Sequence, residues 1–95
     1  MAVYVDSLFP CRWGPMQTYR QCSHLIGDSV TELLAFGKRI GLRLEWLQDP
    51  ESTTHIPHFD LTPAMRAKAV AAGAVEMERP AFMQIVRRLR IERAG

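Results

Sequence analysis

The chain opens on an unbroken apolar run, Ala2-Val3-Tyr4-Val5, closed by Asp6. Such a run predicts a strand covered on both faces, as in a parallel sheet. Residues 7–27 follow neither the helical nor the strand period. Pro10, Gly14, Pro15 and Gly27 interrupt them, while Leu8, Phe9, Trp13, Met16 and Tyr19 keep the segment apolar. A connection of this length in a small domain is functional or conceals a short element. A helix is then clearly marked. Ser29 caps it, Glu32 completes a capping box, and Gly41 supplies a left-handed stop. Val30, Leu33, Leu34 and Ile40 form its apolar stripe, with Gly37 allowing close approach.

From Leu42 to Leu47 the pattern alternates. Leu42, Leu44 and Trp46 face one way and Arg43 and Glu45 the other, which predicts a half-wet edge strand. Asp49 to Phe59 reads as a polar loop. Thr62-Pro63 opens a second helix that runs to Gly73. Ala74 to Met77 predicts a short third strand. Pro80 opens a third helix, with Phe82, Val86 and Leu89 on one stripe and arginines on another. The alternation of strand and helix predicts an α/β fold: a small three-layer domain with a short, mainly parallel sheet in the order 2-1-3 and helices on both faces. Residues 1–78 form the compact domain, and 79–95 a basic C-terminal helix packed on it or extending from it.

Composition narrows the class. Ninety-five residues, 47% hydrophobic and 23% charged, make one globular domain and argue against disorder. No apolar run approaches the ~20 residues of a membrane span, which points to a cytoplasmic protein. Two cysteines build no disulfide framework; a Cys11–Cys22 bond is sterically feasible but is not expected in the cytosol. Neither cysteine is expected to be a nucleophile. The net charge of +2 is unevenly placed, with five arginines against Glu92 from Arg79 onward. That stretch suits phosphate or an acidic surface, although a solvated helix face is the plainer reading and is preferred to nucleic-acid contact.

The polar residues carry the chemistry. In a parallel sheet the strand-to-helix loops emerge together at the carboxyl edge, where ligands bind. That layout gathers Asp6, His24 and Asp28 after the first strand and Asp49, His55, His58 and Asp60 after the second. Two chemistries fit: carboxylates and imidazoles holding a divalent metal, or a histidine acting as general acid/base beside an aspartate. Against both stands the plain alternative that His24 and His58 merely hydrogen-bond loop and helix ends. Trp13 and Trp46 are able to stack on a base, but Trp46 is expected in the core.

The blocks VYVD, SHLIGDSVTELLAFGKRIGL, EWLQD and HFDLTPAMRAKAVAAGAV resemble the small bacterial and phage proteins of the domain-of-unknown-function 4031 family. The likeness covers Val3 to about Val75 and leaves out the tail from Arg79. It implies a compact domain without an established activity. The family's recurrent polar positions match Asp6, His24, Asp28, His58, Asp60 and Arg66, while Met65 stands where relatives often carry Lys.

Two functions follow as expectations. The first is a site that binds a phosphate-containing ligand, a nucleotide or nucleic acid, with hydrolysis as its chemistry. His24, His58 and Asp60 would be catalytic, and Asp6, Asp28 and Arg66 ligand-binding, with a divalent metal as the candidate cofactor. The second is a non-catalytic interaction or inhibitor protein that grips a macromolecule through Arg87, Arg88 and Arg90. A homo-oligomer is compatible with either.

Overall fold

The computed structural model describes residues 2–49 and 56–94; His55, one of the three predicted site histidines, lies outside them. Strands β1 (Val3–Val5), β2 (Phe9–Trp13) and β3 (Thr18–Gly27) precede helix α1 (Val30–Arg39). A 3-10 turn at Leu44–Trp46 leads to β4 (Phe59–Leu61), α2 (Pro63–Ala71), β5 (Val75–Glu76) and α3 (Arg79–Ala94). The strands form one mixed sheet in the order β2-β3-β1-β5, with β4 also paired to β3.

The α/β class holds, but the mainly parallel sheet does not. Only β1 and β5 pair in parallel; β3 runs antiparallel to β1, β2 and β4. The reason lies in residues 7–27, which fold as a hairpin rather than a loop. Its turn uses Gly14 at φ +76° and Gln17 at φ +52°, and the Gln17 N–H donates to the Gly14 carbonyl at 3.1 Å. A hairpin this tight forces antiparallel pairing, whereas parallel strands need a long crossover.

The predicted strand over Leu42–Leu47 is also absent. Gly41, at φ +91°, turns the chain out of α1, and Leu42 drops into the core. The next residues wind into the 3-10 turn, which leaves Leu44 and Trp46 exposed, Trp46 by 42%. The central partner of β1 is instead β3. The sheet also gains β4, at the end of the segment expected to be a polar loop.

Helix starts follow their caps. Ser29 Oγ accepts the Glu32 N–H at 3.2 Å, and Thr62 Oγ1 accepts the Met65 N–H at 3.3 Å. Gly37 is needed where α1 crosses the sheet, since a Cβ there would lie 2.9 Å from the Phe59 ring. Cys11 and Cys22 are joined as a disulfide across the hairpin, with Cα atoms 6.0 Å apart, so the expectation of two free thiols is not met. No helix among the described residues is long and apolar enough to cross a membrane.

Strand pleating sorts the side chains onto two faces. Val3, Val5, Leu25, Phe59 and Leu61 point to one face, where Leu33 and Phe36 of α1 and Ala69 of α2 complete the larger core. Ile26 points to the other face, where Phe82, Val86 and Leu89 of α3 cover it with Ile56. Helices therefore lie on both sides of the sheet, and α3 is packed on the domain by its apolar stripe.

Candidate functional site

The hairpin places the site. Leu25 of β3 is paired with Val5 of β1 on one side and with Phe59 of β4 on the other. One residue along, the next row crosses the same three strands. His24 is the register partner of Asp60, and the Asp6 N–H meets the His24 carbonyl at 3.4 Å. Because side chains alternate, this row turns its side chains away from the larger core, toward α3. His58, two residues before Asp60, shares that face. Asp6, His24, Asp60 and His58 thus meet on a sheet face and not in a loop crevice at the carboxyl edge.

The contacts are directional. Asp6 is fully buried, and its carboxylate accepts both the His24 backbone N–H (2.7 Å) and the ring Nδ1 (2.9 Å). The Arg79 guanidinium stands 3.6 Å from the same carboxylate. The other nitrogen of His24, Nε2, faces Asp60 Oδ1 at 3.8 Å. His58 Nε2 faces the same oxygen at 3.5 Å, while its Nδ1 lies 3.0 Å from the Ile56 carbonyl. Phe9 stacks on the His24 ring with centroids 4.8 Å apart, and Arg79 sits over Phe9. Phe9, Arg79 and the Ile56 carbonyl were missed in the sequence. Phe9 would have been legible had the hairpin been read, because it is the register partner of Cys22, on the parity of His24.

Two openings flank this cluster. A cleft of about 150 Å³ lies toward α3, between His24 and His58 on one wall and Arg79 and Arg90 on the other. These arginines share a helix face because eleven residues make close to three turns. A larger groove of about 610 Å³ approaches from the other side and is lined by Asp60, Arg12, Arg20, Trp46 and Gln48. Trp46, expected in the core, is a wall of this groove, with the Arg43 guanidinium 5.9 Å from its ring. Residues with the right donor atoms to hold one metal ion are His24, His58 and Asp60, whose ligand atoms lie within 4.8 Å of one another.

The remaining predicted residues are engaged elsewhere. Asp28 lies at the far end of β3, where its carboxylate accepts the Ala2 N–H, the Tyr4 hydroxyl and Arg88 at 2.8–2.9 Å. Burial pushes its carboxyl up, but those hydrogen bonds outweigh it and hold the group below its ordinary value. Burial beside Asp28 pushes the Tyr4 phenol up. Arg66 donates through Nε to the Asp6 carbonyl at 2.9 Å and pairs with Glu76, so it fixes the backbone under Asp6 and does not reach the cluster. Arg88 is held by Asp28 and Glu92, whereas Arg87 and Arg90 are exposed. Asp49 approaches His58 Nδ1 to 4.0 Å.

Fold and site together define a small α/β domain with a histidine–aspartate cluster on an open half of one sheet face. The chain belongs to the family described as Protein of unknown function (DUF4031), whose model matches residues 3–90. The match extends into α3, so Arg79, Arg87, Arg88 and Arg90 lie inside the family region and not beyond it. No curated protein and no solved structure matches the chain.

Proposed function

We propose that this protein binds a nucleotide or a single nucleic-acid strand in the groove beside Asp60 and hydrolyses a phosphoester at the histidine–aspartate cluster. The observation that carries this reading is the composition of the groove. Arg12 and Arg20 offer positive charge to phosphate, Glu45 on the same lining is paired with Arg43 at 3.6 Å, and Trp46 is an exposed aromatic face for a base, in a groove that Asp60 also lines. Arg90 supplies a cation on the far side of the cluster, next to Arg79, whose guanidinium already stands 3.6 Å from the Asp6 carboxylate, so a phosphate at the histidines would meet positive charge from two directions. His24 and His58 flank Asp60 Oδ1 at 3.8 and 3.5 Å and would serve as the general base and general acid of such a hydrolysis.

The test is a fluorescence titration with a nucleoside monophosphate and with a short single-stranded oligonucleotide. Trp46 is expected to respond on binding. Trp46→Ala should weaken binding about tenfold or more, as expected for a lost base stack. Arg12→Gln with Arg20→Gln should weaken it further and flatten its salt dependence. Wild-type protein that binds neither probe, or variants that bind as wild type does, would overturn the reading. The alternative of a macromolecule gripped by α3 has lost one of its three cations to Asp28.

A further inference from the structure

We propose that His24 Nε2, His58 Nε2 and a carboxylate oxygen of Asp60 form a binding site for one divalent transition-metal ion, of the class that includes Zn²⁺, Co²⁺ and Mn²⁺. The inference deepens the hydrolytic reading but rests on a separate observation, the hydrogen bonds behind the two imidazoles. His58 Nδ1 faces the Ile56 carbonyl at 3.0 Å, with the Asp49 carboxylate 4.0 Å away. Both neighbours only accept, so Nδ1 carries the proton and Nε2 of the neutral ring is a bare lone pair. His24 repeats the arrangement. Its Nδ1 donates to the buried Asp6 carboxylate, which also accepts the His24 backbone N–H. In the neutral ring its Nε2 keeps its lone pair as well.

The consequence is a convergence of acceptors. Both Nε2 atoms stand near the same Asp60 oxygen, at 3.8 Å and 3.5 Å. A proton on each ring would turn both contacts toward hydrogen bonds with Asp60; with both rings neutral, a cation among the three atoms satisfies all of them. The spacing suits a metal, because ligands about 2.1 Å from a tetrahedral ion stand roughly 3.4 Å apart. A metal-bound histidine ordinarily gives its other N–H to a carboxylate or a backbone carbonyl, and here each ring uses one of these. The donor set also selects the ion. Two nitrogens and one oxygen favour a borderline transition metal over Mg²⁺ or Ca²⁺, which take oxygen.

Three protein ligands leave at least one coordination position open, the mark of a catalytic rather than a structural site. All three side chains are partly solvent-exposed, so that position is reachable from the groove and the cleft. A water held there would lose its proton to solvent more readily than in bulk, and its oxygen would form the new P–O bond as the P–O bond to the leaving alcohol breaks, the leaving oxygen taking a proton from solvent. His24 and His58 would then act as ligands, leaving Arg79, Arg90, Arg12 and Arg20 to hold the phosphate.

The experiment uses tag-free, chelator-stripped full-length protein titrated with Co²⁺, read by its visible ligand-field absorption, and with Zn²⁺, read by calorimetry. One equivalent should bind, Zn²⁺ should displace Co²⁺, and Mg²⁺ should not compete. His58→Ala should abolish the spectrum and Asp60→Asn should weaken or change it. Asp6→Asn, which takes the carboxylate from behind His24 and from beside Arg79, should weaken binding about 10–100-fold. Asp60→Asn preserves shape and so keeps the proposal testable even if His58→Ala fails to fold. Wild-type protein without Co²⁺ or Zn²⁺ binding, or binding unaltered in His58→Ala and Asp60→Asn, would overturn the proposal. Trp46→Ala should bind metal like wild type, so loss of nucleotide with metal retained would fault the groove reading alone. Nucleotide binding by a wild type that takes no metal would fault the metal alone.

Discussion

The two faces of the sheet are built from the same strands and do opposite things. One face presents Val3, Val5, Leu25, Phe59 and Leu61 and is closed by α1 and α2. The other presents Tyr4, Asp6, His24, Ile26 and Asp60 and is covered by α3 together with Ile56, a cluster that reaches Ile26 but leaves the row of His24 partly open. Adjacent residues therefore belong to different tasks: Val5 and Leu25 are core, while Asp6 and His24, one step along in each strand, are the site. The pleat allows a three-residue strand to serve both. A buried carboxylate such as Asp6 is tolerable only because its partners are fixed by register, two of them on the neighbouring residue of β3.

If stability resides in the first face, the largest effect should come from Phe59, which is fully buried, packs under Gly37 and lies beside Asp60 in β4. Phe59→Ala should cost about 3–5 kcal/mol, enough to consume much of the stability of a domain this size. Urea denaturation monitored by circular dichroism would register the loss as a lower midpoint. A cost below about 1 kcal/mol would mean that the face around α1 and α2 is not the dominant core.

Asp28 tests how the open face is secured. It ties the start of β1, the Tyr4 hydroxyl and α3 together through three hydrogen bonds. Asp28→Ala leaves the Ala2 N–H and the Tyr4 O–H without that partner and should cost about 1–3 kcal/mol, less than Phe59→Ala. The pH dependence has a definite sign. The folded carboxyl lies below its ordinary value, so its contribution is complete above the unfolded pKa of about 3.9 and is lost as pH falls through the folded value. The stability gap between wild type and Asp28→Asn should therefore be full at neutral pH and narrow below about pH 4. A gap that stays constant down to strong acid would show that the carboxylate's charge contributes nothing.

What the sequence made legible divides along the same line. α1, α2, α3, β1 and β5 announce themselves through caps and apolar runs, because local hydrogen bonding and burial on one consistent stripe set them. The hairpin did not, for a physical reason. In Cys22-Ser23-His24-Leu25-Ile26 both faces are covered, one by core and one by the site and α3, so the apolar–polar alternation that marks a half-wet strand never appears. Conversely, Leu42-Arg43-Leu44-Glu45-Trp46 alternates well but finds no neighbouring strand, and the 3-10 turn prevails. Asp6, His24, His58 and Asp60 were legible as polar groups of loops that a parallel sheet would gather at one edge. Their meeting point was not, because it depends on a register that only the hairpin defines. Arg66 and Asp28 looked like ligand-binding groups on sequence, since a charge spent on an internal carbonyl or amide reads the same as one turned to a ligand.

The finest test of the two-face picture compares Ser23 with His24. Ser23 is fully buried on the core side, paired in register with Leu61, and its Oγ has no hydrogen-bond partner among the described residues. Removing an unsatisfied hydroxyl from such a place removes a desolvation cost and little else, so Ser23→Ala should be neutral or stabilising by up to about 1 kcal/mol. His24→Ala, one residue on, strips the buried Asp6 carboxylate of its ring partner and should be clearly destabilising. Thermal melts of the two variants side by side decide the matter. Opposite signs follow if residue parity assigns 23 to the core and 24 to the site. If Ser23→Ala destabilised as much as His24→Ala, the Ser23 hydroxyl would have to be holding a polar contact on the core side, and the sealed face would be less apolar than its packing indicates.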